Sequence, residues 1–207
     1  MFKRKLLMAL TAAAIGMPMC LVINRTVLAD DSGPVQGANM SDDQKKMEEN
    51  FFKQAASGNT LEVRLAKLAQ ERSSDPQVKQ TASTIESDHE QANQLLKQIA
   101  SQHHIEISTE DMTPVADAVL NELQKKEGDE FTRAYVFQQV GDHAMNELMM
   151  AYTAKHGESD ACREYASQML PKIQMHLEAL EMIARPMAGL NGMAEPAGAR
   201  MLPDSAR

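Results

Sequence analysis

The sequence predicts an all-α fold, four long helices in two antiparallel hairpins with a short extra helix in the middle connection. Three observations carry this expectation. Apolar residues recur at steps of four and three through most of the chain, and no stretch sustains period-two alternation. Capping residues and prolines then punctuate the chain where helices should begin and end. Ser41 with Gln44 forms a capping-box pattern that opens a first helix running to about Arg72. Asp75-Pro76, a good N-cap followed by proline at the first helical position, starts a second helix that reaches about His103. Thr113-Pro114 repeats the signal for a short helix to about Lys126. Gly128-Asp129 breaks it, and a long helix follows to His156, with Gly157 as its expected C-cap. Ser159-Asp160 opens the last helix, which should end near Ala184, before Pro186.

Short links join the first helix to the second and the third long helix to the fourth. The longer middle connection can cross the bundle, as in ferritin-like four-helix topologies. A weak internal repeat agrees: a shift of 85 residues carries Ser74-Asp75 onto Ser159-Asp160 and Glu62 onto Glu147.

The ends of the chain read differently. Residues 1–29 have the form of a signal peptide: basic Lys3, Arg4 and Lys5, an apolar stretch from Leu6 to Ile23, and Val27-Leu28-Ala29 before the cut. Retention as an anchor is the competing reading, since the apolar stretch is just long enough to span a bilayer. Residues 30–45 read as a flexible lead-in, 46–184 as the helical domain, and 185–207 as a disordered tail rich in proline and glycine. The expected location is extracytoplasmic, in the periplasm or secreted.

Removing the leader takes away four basic residues and no acidic one, which leaves 17 basic against 29 acidic residues. Such a surface argues against nucleic acid or anionic lipid as a partner, because both need a basic footprint. The mature chain is expected to span no membrane. Cys162 is its one cysteine, so an internal disulfide is impossible, and its place on an apolar stripe suits a small buried hydrophobe.

The chemistry lies in interruptions of the apolar stripes. His89 replaces an apolar residue in the run Val78, Ala82, Ile85, His89, Ala92, Leu96, Ile99. His176 does so in Cys162, Ala166, Met169, Ile173, His176, Leu180, Ile183. The run Val136, Val140, His143, Glu147, Met150, Ala154 carries a histidine and a carboxylate, and Glu62 sits at the centre of Phe51, Ala55, Gly58, Glu62, Leu65, Ala69. A polar group buried without a partner costs roughly 1–3 kcal/mol, so these side chains must satisfy one another. Two readings do this. In one, His89, His143, His176 and Glu62 hold a single zinc, iron or copper ion, with Glu86 and Glu147 as secondary candidates. In the other they form a structural hydrogen-bond network.

A di-iron centre of the ferritin type needs Glu-x-x-His on two helices. Glu86-Ser87-Asp88-His89 supplies one, but Ile173 stands where the second acid belongs. Several other residues fit plainer roles. His103, His104 and His156 lie at helix C-termini, where an imidazolium interacts well with the helix dipole. Met145, Met149, Met150, Met169, Met175 and Met182 could bind copper(I) but more simply fill core space. Pro171 should kink the last helix about one turn before His176. No phosphate loop, Cys-x-x-Cys, His-Glu-x-x-His or nucleophile elbow is present. No catalytic residue is therefore nominated.

A wider pattern is familiar. Phe51 to Asn59, Leu61-Glu62-Val63, and Ser87-Asp88-His89 with Ala92-Asn93 and Leu96 form one signature. Phe131 to Tyr135, Asp142-His143, Leu170-Pro171 and His176-Leu177 form a second. Together they resemble the secreted bacterial domain-of-unknown-function family 4142, often labelled putative outer membrane or exported protein. The resemblance spans about Glu49 to Ile183. It implies a ferritin-like four-helix bundle outside the cytoplasm and supplies no activity. The functional expectation is an exported, non-catalytic four-helix protein that binds one transition-metal ion in its core. The alternative is an envelope or stress-related interaction protein with structural histidines, and a di-iron redox enzyme ranks third.

Overall fold

The computed structural model describes residues 40–189, and the leader, most of the expected lead-in and most of the tail lie outside the described residues. Five helices form in the expected order: α1 (Asp42–Arg72), α2 (Pro76–Gln102), α3 (Pro114–Gln124), α4 (Gly128–His156) and α5 (Asp160–Met187). The capping chemistry accounts for the starts. Ser41 and Gln44 exchange the two hydrogen bonds of a capping box at 2.9 and 3.3 Å. Asp75 accepts from the Gln77 and Val78 amides, Thr113 from Ala116 and Ser159 from Cys162. Glu127, the N-cap of α4, makes no side-chain cap bond, and Gly128 takes φ +54° at the turn into the helix.

Helix direction follows from the two apolar cores. One joins the second half of α1 (Leu61, Leu65) to the start of α2 (Val78, Ile85), the start of α4 (Phe131, Tyr135) and the end of α5 (Leu180, Ile183). The other joins the start of α1 (Phe51, Phe52) to the end of α2 (Leu96, Ile99), to Met150 of α4 and to the start of α5 (Tyr165, Met169). Each hairpin is therefore antiparallel, whereas α2 and α4 run the same way. The α1–α2 and α4–α5 pairs pack most extensively, and α2 also lies against α5 and α1 against α4. The segment between α2 and α4 must return along the bundle, and α1 holds it there. Thr60 Oγ1 donates to the Thr109 carbonyl at 2.8 Å, the Thr113 amide to Ser57 Oγ at 2.8 Å, and Arg72 to the Gln124 and Lys126 carbonyls at 2.7 Å. Among the described residues no helix is long and apolar enough to cross a membrane.

Several details differ from the sequence reading. Helix α5 continues through Pro186 to Met187; a proline so near the end costs one hydrogen bond in a turn that is already half exposed. Gly157 is the C-cap of α4 as expected, but with φ −57° instead of a left-handed conformation. Its small size matters instead, because a Cβ there would lie 2.7 Å from the Thr153 carbonyl oxygen. The buried face of α4 centres on Gln139, Asp142 and His143, while Val140 and Glu147 are only half buried. Of the methionines, Met150 and Met169 are buried, but Met145, Met175 and Met182 face solvent and fill no core.

Helix α2 ends in a Schellman arrangement. The Ile105 amide donates to the Ala100 carbonyl at 2.8 Å and the His104 amide to Ser101 at 3.4 Å. This closure puts His104 at φ +58°, a conformation that disfavours any side chain with a Cβ. His104→Gly is expected to raise stability by roughly 0.5–1 kcal/mol, read from the urea midpoint at unchanged m-value.

Candidate metal centre

A polar layer separates the two apolar cores. His89 of α2, His143 of α4 and His176 of α5 are each at least 94% buried, because each sits on the inward stripe of its helix. Their ring centroids lie 5.4–6.0 Å apart, and each ring offers a ligand atom within 4.8 Å of those of the other two. Rings this close leave no room for another side chain between them.

The hydrogen bonds on the outer ring nitrogens orient the histidines. Asn59 donates from Nδ2 to the Tyr165 hydroxyl at 2.9 Å, so its oxygen faces His89 and accepts from Nδ1 at 3.0 Å. His143 Nδ1 lies 3.0 Å from the Gln139 carbonyl, which can only accept. His176 Nε2 lies 2.8 Å from Asp88 Oδ2, and the other Asp88 oxygen takes Lys172 Nζ at 2.5 Å. With the outer nitrogens protonated, the inner ones carry lone pairs: His89 Nε2, His143 Nε2 and His176 Nδ1. Those three atoms are buried and have no hydrogen-bond partner in the structure. A metal-ligating histidine characteristically shows this arrangement, one nitrogen tied to an acceptor and the other free.

Electrostatics keeps the rings neutral. Burial, aided by neighbouring His176, pushes His143 down to about 3. Burial and the two other histidines hold His89 well below the ordinary imidazole value. Burial also lowers His176, although Asp88 pulls in the opposite direction. For Asp88, burial alone would raise the carboxyl, but bonds from Lys172 and His176 outweigh it and keep the group ionised. Neutral imidazoles are the form that binds a metal.

Glu62 lines the same cavity as His89 and His143 but is not one of the converging group. Its neighbours are Asp142, Gln139 and Tyr135. Burial and the Asp142 charge raise its carboxyl to about 8, with the Gln139 amide opposing them. Asp142 is itself raised to about 6 by burial, partly offset by the Gln138 amide that donates to it at 2.8 Å. Glu62 thus belongs to a carboxyl layer beside the histidines. The secondary candidates are also engaged elsewhere. Glu86 accepts from Gln70 at 2.5 Å and pairs with Lys67 at 3.4 Å, and Glu147 accepts from Gln174 at 2.9 Å.

Asn59, Asp88, Gln139 and Asp142 are site components that the apolar stripes did not single out. Register could have found the first. Counted from Ser74 in the α1–α2 turn, His89 lies 15 residues on, and Asn59 lies 15 residues back. Asn59, not Glu62, is therefore its level partner. The Asp88-His89 and Asp142-His143 dipeptides were visible signals for two of the others.

The fold and site define an all-helical bundle with a buried, outward-braced cluster of three histidines. The chain belongs to the DUF4142 family, a domain of unknown function, whose model matches residues 33–183. No curated protein and no solved structure matches it.

Proposed function

We propose that this protein is an exported, ferritin-like four-helix bundle that binds one transition-metal ion, zinc, iron or copper, through His89, His143 and His176. Two observations carry the reading: the three buried rings each bring a nitrogen within 4.8 Å of those of the other two, and each keeps one buried nitrogen without a hydrogen-bond partner. A purely structural network would be expected to satisfy those atoms, since each unpaired buried group costs roughly 1–3 kcal/mol. Neutral nitrogen donors suit zinc, copper and iron better than magnesium or calcium, which prefer oxygen. Export is supported by the n-region, apolar stretch and small-residue site of residues 1–29. The ferritin-like reading rests on the single long crossover between two helical hairpins.

Elemental analysis of protein prepared without chelator tests the reading. About one equivalent of a transition metal per chain is expected, with a rise in Tm when metal is added to stripped protein. Less than about a tenth of an equivalent of any transition metal, with no rise in Tm, would overturn it. A second expectation concerns the bracing. Asp88→Asn removes the carboxylate that orients His176 and should weaken metal binding about 10–100-fold without abolishing it, measured by chelator competition.

A further inference from the structure

The histidine cluster borders a cavity of about 30 Å³. That volume holds about two or three waters, since a single water needs roughly 10–15 Å³ measured in this way. His89 and His143 form part of its wall, whereas His176 does not reach it, so the cluster meets open space on one side. The rest of the wall is chemically mixed. Asn59, Asn146 and Glu62 are polar, while Met150, Met169 and Ile173 are apolar and at least 96% buried. Among the described residues no lysine or arginine lines it.

We propose that this cavity is a binding site for a small uncharged molecule of two or three heavy atoms, such as a diatomic gas, which reaches a metal held by the three histidines. This rests on the metal-binding reading above. Three protein ligands leave a tetrahedral ion one position for an exogenous ligand, and here free volume lies beside two of the three. Size sets the first limit, because the open volume beside the histidines is only about 30 Å³ and Met150, Met169 and Ile173 form part of its wall. Charge sets the second. An anion entering the cavity would leave water for a wall with no cationic side chain and with a carboxyl group in it, so apart from neutral groups such as Asn146 and Tyr165 the ion would have to compensate its desolvation. A neutral diatomic loses little hydration and meets thioether and isoleucine surface.

Cobalt(II) is the metal probe, and nitric oxide and azide are the small-molecule probes. The full chain is loaded with cobalt(II), and bound cobalt is quantified before either probe is added. Nitric oxide is expected to change the visible and electron paramagnetic resonance spectra of the bound cobalt. Azide should need at least tenfold higher concentration to do so. Two variants narrow the cavity without touching a histidine, Gly58→Val at its half-buried edge and Asn146→Leu. At least one should keep the cobalt and lose the nitric oxide response. Failure to bind cobalt or any other transition metal defeats the metal-binding reading. Bound cobalt with no nitric oxide response, with azide preferred, or with a response unchanged in both folded variants overturns the cavity assignment alone.

Discussion

The double substitution His89→Gln with His176→Gln is expected to abolish the metal-dependent rise in Tm. Two of three donors are lost, and the remaining His143 cannot hold an ion in competition with water or buffer. For the wild-type protein, metal at one hundred times its Kd adds about 2.7 kcal/mol, which in a domain of this size raises Tm by roughly 5–11 °C. The substitution is chosen to spare the fold. Glutamine retains an amide that can donate to the outer partners, Asn59 for one residue and Asp88 for the other. Melting curves with and without zinc, copper and iron salts check it. A shift of wild-type size in the folded variant would mean that the metal binds elsewhere, and no shift in wild type would favour a structural role for the histidines.

Glu62→Gln is expected to remove the alkaline loss of stability of the metal-free protein. In the folded chain the carboxyl titrates at about 8, against an ordinary value of 4.5. A raised value means that the folded state holds a proton which the unfolded state has released. The resulting stability is complete below pH 4.5 and is lost as pH rises through 8, at about 1.4 kcal/mol per pH unit across that interval. The histidines act in the opposite sense. Their folded values lie below 6.5, so their contribution is present above that pH and lost as pH falls toward about 3, the value for His143. Wild type should therefore be most stable near pH 6.5, where the two trends cross. A glutamine side chain has no proton to release, so the variant should hold its stability from about pH 6.5 to about pH 9, while keeping the acid-side loss. Urea denaturation of the stripped protein across pH gives both profiles. A parallel decline of wild type and variant on the alkaline side would show that Glu62 is already ionised in the fold.

The helices were legible because their boundaries depend on local chemistry. Ser41, Asp75, Thr113 and Ser159 each cap the helix that the sequence assigned to them. The crossover was legible from connection length alone. The convergence of His89, His143 and His176 was partly so, since each interrupts an apolar stripe on a different helix. The stripe does not report axial level or rotation. Glu62 shares its stripe with Leu65 and lines the histidines' cavity, yet it neighbours Asp142, Gln139 and Tyr135 and is not one of the converging group. Asp88 lies off the apolar stripe of α2. That helix packs against α5 as well as α1, and Asp88 lies toward α5, where it meets His176 and Lys172. In α4 Val136, His143 and Met150 of the expected stripe are buried, but Gln139 and Asp142 are buried where Val140 and Glu147 were expected to be. A single-stripe pattern cannot resolve a helix buried on two sides. Pro171 lies within α5.

X-ray absorption spectroscopy of the zinc-loaded protein tests the central claim most directly, because it reads the ligand atoms themselves. The predicted result is a first shell containing three imidazole nitrogens at about 2.0 Å, with the outer-ring scattering typical of histidine. A shell of oxygen donors without imidazole scattering, or no stoichiometric zinc to measure, would contradict it.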